Sequence, residues 1–170
     1  MNALRLLRTS LVVSALLTGA STAAHAQGMS VGFDGLRQNT SAPVEVTADE
    51  LTVNRAAGGA TFAGNVLVVQ GEMRLAAGKV DVEYAPDGQG IRRLVASGGV
   101  TLATPSDAAE AQEATYEVGS GALVMSGSVL LTQGPSTISG ERLVADLRAG
   151  TGRMEGRVRT LFKPGAQGGN

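Results

Sequence analysis

The sequence predicts an all-β protein, on three observations. Gly makes up 24 of the 170 residues, about twice its usual share, whereas Tyr and Phe number two and three and Trp is absent. Turn signals recur about every 8 to 12 residues, the spacing of a sandwich or barrel. A short pattern, Gly-x-Val, returns at near-constant intervals, which marks stacked supersecondary units. At 43% hydrophobic and 17% charged, the chain is too apolar to stay unfolded by composition, yet it has few large rings with which to fill a thick core. Its length fits one domain.

In chain order, residues 1–26 read as a cleaved secretory signal peptide. Arg5 and Arg8 precede the apolar stretch from Leu11 to Leu17, and Ala24-His25-Ala26 offers an Ala-x-Ala cleavage site before Gln27. The stretch is well short of the roughly 20 apolar residues of a spanning helix. Residues 27–42 lack periodicity and are rich in Gly, Ser and Asn, as expected of a flexible N-terminal arm. Residues 43–163 form the expected β domain, and 164–170 a flexible C-terminal tail.

Loss of the signal removes the only His from a chain that has no Cys. Ser-His-Asp and Cys-His nucleophiles, His-bound metals and Cys-bound zinc are thereby excluded, and no disulfide can staple the fold. No catalytic residue, metal or cofactor is expected. With 14 Lys+Arg against 15 Asp+Glu and no basic run, the chain carries no electrostatic footprint for nucleic acid.

Within 43–163 two marks keep one beat. Gly64-Asn65-Val66, Gly98-Gly99-Val100, Gly127-Ser128-Val129 and Gly156-Arg157-Val158 are spaced by 34, 29 and 29 residues. Glu50-Leu51, Lys79-Val80, Glu113-Ala114 and Arg142-Leu143 precede them at spacings of 29, 34 and 29. The longer interval is absorbed by the turn around Pro86-Asp87-Gly88, which leaves strand register intact. Each unit predicts a strand starting near Ala48, Gly78, Gln112 or Glu141, a Gly-bearing turn, and a second strand centred on Gly-x-Val. Gly at one point of four strands predicts a bulge or a close backbone approach.

Strand alternation makes one face continuously apolar. Phe62, Val66 and Val68 share a phase with Met125, Val129 and Leu131 of the third unit, and Val82 and Tyr84 with Leu143 and Leu147; Val100 and Leu102 complete the set. These twelve residues either form a packed core or line a groove. Asp49 and Glu50 are adjacent in a strand and point to opposite faces, which argues against paired acid-base chemistry. Asp107, Glu110, Glu113 and Glu117 have the wrong spacing for a cation loop and read as a solvated connection. Arg142, Arg148, Arg153, Arg157, Arg159 and Lys163 make the last third basic, either to meet phosphates at a rim or to keep strand edges from aggregating.

Pro43 to Leu51 (PVEVTADEL), followed by Ala60 to Tyr84 (ATFAGNVLVVQGEMRLAAGKVDVEY), resembles the LptA/OstA-like family of lipopolysaccharide-transport proteins. An I-x-A-D-x-L-like strand stands at Val46 to Leu51, F-x-G-N-V-x-V-x-Q-G at Phe62 to Gly71, and L-x-A-x-x-x-x-V-x-Y at Leu75 to Tyr84; A-x-x-A-x-Y is matched at Ala111 to Tyr116. The resemblance covers roughly 43 to 162.

It implies an open antiparallel β-jellyroll, a twisted sheet bent into a V whose apolar inside holds the acyl chains of lipid A. It further implies a non-enzymatic periplasmic protein that binds lipopolysaccharide, associates end to end, and bridges an LptC-like inner-membrane protein and an LptD-like outer-membrane protein. On this reading the twelve apolar residues line the lipid groove. Two alternatives remain: an inner-membrane-anchored LptC-like partner of the same fold, against which the cleavage site argues, and a polysaccharide-interacting or filament-forming β-helix, whose rungs recur at shorter spacing.

Overall fold

The structure, a computed structural model, describes residues 29–32, 34–54 and 58–162. The expected signal segment and C-terminal tail lie outside the described residues, as does Lys163. Eleven strands among the described residues form one antiparallel sheet: β1 (Met29–Gly32), β2 (Val44–Thr47), β3 (Glu50–Asn54), β4 (Gly59–Gln70), β5 (Met73–Tyr84), β6 (Ile91–Ala103), β7 (Asp107–Glu117), β8 (Ala122–Gln133), β9 (Ser136–Asp146), β10 (Thr151–Glu155) and β11 (Arg159–Leu161). The sheet runs in the order β1-β10-β9-β8-β7-β6-β5-β4-β2, with β3 also on β4 and β11 also on β9. The sheet is open rather than a closed barrel, as the all-β reading and the family resemblance imply.

The long strands outrun their sequence-level units. β5, β7 and β9 begin at Met73, Asp107 and Ser136, before the marks at Lys79, Glu113 and Arg142. Each long strand is in fact two short strands joined at a corner. The pairing register breaks between Ala63 and Val66 in β4, Ala77 and Lys79 in β5, Ser97 and Val100 in β6, Glu110 and Glu113 in β7, and Ser126 and Val129 in β8.

Three of the Gly-x-Val marks sit at these corners, in β4, β6 and β8, and the fourth joins β10 to β11; in each copy both the Gly and the residue after it are left-handed. At Gly127-Ser128 the φ values are 86° and 54°, and at Gly156-Arg157 they are 77° and 38°. Two such residues in succession redirect a strand without ending its pairing. Crowding adds a second requirement. A Cβ on Gly127 would fall 2.8 Å from the Gln112 Cβ, and one on Gly156 only 2.4 Å from the Glu141 Cγ. At these two positions a side chain would collide with that of Gln112 or Glu141 on the neighbouring strand.

The corners divide the sheet into two halves. The upper half holds β3, the flanks 59–63, 79–84, 91–97, 113–117, 122–126 and 142–146 of the long strands, then β10 and β1; the lower half holds β2, the other flanks and β11. One row of paired residues crosses the upper half as Phe62, Val80, Ala96, Ala114, Met125, Leu143 and Met154. A second crosses the lower half as Val46, Val68, Leu75, Leu102, Ala109, Leu131 and Ile138. Residues of both rows belong to one buried cluster. No third layer stands between the halves among the described residues, so their inner faces cover each other.

Within the expected arm 27–42 the structure differs from the sequence reading. Met29–Gly32 pairs antiparallel with β10, Met29 opposite Met154 and Gly32 opposite Thr151. Asp34–Leu36 forms a short 3-10 turn. Neither element has the length or periodicity that marks a strand or helix in sequence. β1 covers the edge of β10 that does not pair with β9.

Candidate functional site

The interior between the half-sheets is the candidate site. Of the twelve expected lining residues, Val66, Val68, Val82, Val100, Leu102, Met125, Val129, Leu131, Leu143 and Leu147 are all at most 2% exposed. Phe62 is partly buried and packs against the same cluster. Tyr84 is the exception at 41% exposed, because β5 ends there and the register slips between Glu83 and Tyr84. It lies beside Val53, Gly58, Gly59 and Gly88 around a surface hollow of about 520 Å³.

The interior is narrow and almost wholly aliphatic. Ala77, Ala96, Ala109, Ala114 and Ala145 alternate with larger Val, Leu and Met side chains on the buried faces, and Tyr116 is the one aromatic ring fully buried among the described residues. Sequence reasoning missed Met73, Leu75, Leu94, Leu123, Ile138 and Met154, all buried on the same faces. The two-residue alternation extended by one step from Met125 would have found Leu123.

The mouth of the V, opposite the corners, is polar. Gln70, at the end of β4 in the lower half, is fully buried and accepts a hydrogen bond at Oε1 from the Tyr116 hydroxyl of the upper half at 2.7 Å. Its Nε2 donates to the Thr40 and Ala42 carbonyls, each at 3.0 Å. All of the amide's capacity that matters is met, so burying it costs little. Burial pushes the Tyr116 phenol up to about 12, although the Arg148 charge pulls the other way. The side chain is therefore a neutral donor throughout the physiological range. Both residues fall in the family motifs, Gln70 in Phe62 to Gly71 and Tyr116 in Ala111 to Tyr116, but nothing in sequence pairs them; residues 46 positions apart meet only because the sheet folds on itself.

The charged candidates do not converge. Asp107 is buried near the mouth and accepts from Gln133 Nε2 at 3.1 Å. Glu110 and Glu113 are exposed, and Glu117 is held by Arg93 and, more loosely, Arg92. These four acids belong to β7 rather than to a connection. Arg142 and Arg153 both meet Glu155 at 3.1 Å, Arg148 lies at the mouth, Arg157 at a corner and Arg159 on β11. No single basic rim results. Asp49, whose Oδ2 accepts from the Asn65 amide at 2.7 Å, steadies the first corner. On the outer face, hydrogen bonds from Lys79 and then Thr61 hold the Asp81 carboxyl below its ordinary range.

The edge strands β3 and β11 expose apolar side chains among polar ones. Leu51 and Val53 on β3, and Leu161 with the following Phe162 beside β11, are each more than half exposed.

Comparison with known proteins gives this geometry a family. The chain is 28% identical over 173 residues to an uncharacterized protein of Rhizobium meliloti (strain 1021), with 94% of this chain and 93% of that protein covered. Its fold is that of LptH from Pseudomonas aeruginosa, described as the LptA homologous periplasmic component of the conserved lipopolysaccharide transport device. The match has a TM-score of 0.65 at 19% identity and covers 78% of this chain and 99% of that one. A family model described as LptA/(LptD N-terminal domain) LPS transport protein matches residues 45–151, from β2 through the first three Gly-bearing corners to the start of β10. The chain, bent at four repeated Gly-bearing corners around an aliphatic interior, belongs to this lipopolysaccharide-transport family.

Proposed function

We propose that the chain is a non-enzymatic periplasmic lipopolysaccharide-binding protein, whose facing half-sheets part to receive the acyl chains of lipid A. The observation that carries the reading is the unbroken run of apolar side chains across both inner faces, from Phe62 to Met154 above and Val46 to Ile138 below. Phe62, Val66, Val68, Val82, Val100, Leu102, Met125, Val129, Leu131, Leu143 and Leu147 are its lining, with Tyr84 at the rim. Each acyl methylene buried there contributes about 0.8 kcal/mol, so a few suffice to hold a chain against water.

Conveyance between the membranes then needs a row of such interiors. The exposed apolar edges at β3 and β11 support end-to-end strand addition, first to further copies and at the ends to an LptC-like inner-membrane protein and an LptD-like outer-membrane protein. Photo-crosslinking in living cells from Val66 and Val129 is the test. Lipopolysaccharide adducts are expected from both positions, and their absence from every inward position sampled overturns the reading.

A further inference from the structure

Residues 35–42 run across the mouth of the V and touch both of its lips. Gly35 lies against the lower lip, where a Cβ would fall 2.4 Å from the Ser106 Oγ. Leu36 enters the core with no exposed surface. The chain then reaches the upper lip: the Gln38 amide donates to the Leu147 carbonyl at 2.7 Å, and the Arg37 guanidinium to the Ala149 carbonyl at 3.0 Å. The Thr40 hydroxyl accepts from Arg148 Nε at 2.9 Å, and Arg148 also donates to the Gly119 carbonyl. Finally the Thr40 and Ala42 carbonyls return to Gln70 on the lower lip, and the chain continues into β2.

We propose that this segment is a strap that closes the interior and must leave the upper lip before an acyl chain can enter. The inference rests on the lipid-binding reading above. Strands anchor the segment at both ends, β1 to β10 of the upper half and β2 to β4 of the lower, whereas between them residues 37–40 are held to the upper lip only by a few hydrogen bonds, that of Arg37 being exposed. Its one apolar anchor, Leu36, occupies the surface an acyl chain requires. The strap is thus an intramolecular competitor, tethered at β1 and β2 and released between them at Leu147 and Arg148.

The chain has no Cys, so Thr40→Cys with Gly121→Cys introduces a single pair. A Cβ on Gly121 would lie 3.1 Å from the Thr40 Cγ2, close enough for a disulfide that pins the strap to the upper lip. Uptake of a fluorescent long-chain fatty acid and of purified lipopolysaccharide is followed with this variant oxidised and reduced, and with Leu36→Ala, each checked for folding by circular dichroism. Oxidation is expected to slow uptake of both by about tenfold and reduction to restore it, while Leu36→Ala speeds uptake by about tenfold. Equal rates in the oxidised and reduced forms, or in Leu36→Ala and the unaltered chain if the double variant misfolds, overturn the strap. Absence of uptake by every form, the unaltered chain included, overturns the lipid-binding reading instead.

Discussion

The V is held at its two ends by different means. At the bend, the constraint is in the backbone: strands run through left-handed corners, and side-chain-free positions let neighbouring strands pass. At the mouth, the constraint is in side chains: Gln70, Tyr116, Thr40 and Arg148 join the lips through a handful of hydrogen bonds. Opening the bend would break the strand ladder, whereas opening the mouth exchanges a few polar contacts for water. For the lipid-binding role proposed above, keeping the rigid end and the yielding end apart lets the interior open without breaking the strand ladder.

The sharpest way to break that contrast is at a corner. Gly127→Val places a branched side chain at a φ of 86° and against Gln112, and is expected to cost about 3 kcal/mol in urea unfolding. Gly134→Val, at a hairpin turn with a similarly left-handed φ but open space around it, is the control and should cost clearly less. Similar losses for both would show that crowding does not stiffen the corner.

The mouth is probed by pH. The Tyr116 phenol holds its proton more tightly in the folded chain, at about 12, than at its ordinary 10. Stability from this group is complete below pH 10 and is lost as pH rises toward 12, by on the order of 2 kcal/mol. Tyr116→Phe should flatten the decline over that window, at the cost of about 1 kcal/mol at neutral pH from leaving Gln70 Oε1 without its donor. An unchanged alkaline profile would place the phenol's proton in contact with water. The smallest effect is again at a corner: Ser128, left-handed with a φ of 54°, becomes unstrained as Gly, and Ser128→Gly should stabilise the fold by about 0.5 kcal/mol.

The sequence and the structure part company along the same line. The corners were legible because a bend built into the backbone needs a particular residue type, and four copies of the need repeat in four copies of Gly-x-Val. Eleven of the twelve inner-face residues were legible for a similar reason: a half-buried strand writes its burial into every second position. Tyr84 kept the phase but not the burial, since alternation does not say where a strand runs out of neighbours. The strap and β1 left no such trace. Four residues of Met29–Gly32 are too few to show a period, and Leu36 reads as an isolated apolar residue in a polar segment.

By itself, then, the sequence determined the all-β class, the repeated corners and the face that would be apolar, because each depends on contacts between residues near in sequence or on a periodicity within one strand. Only the tertiary structure decided that the two faces close on each other, that Gln70 meets Tyr116, and that residues 35–42 lie across the mouth. Those contacts join residues up to 112 positions apart. They follow from how far the corners fold the sheet, a quantity summed over the whole sheet and carried by no single residue.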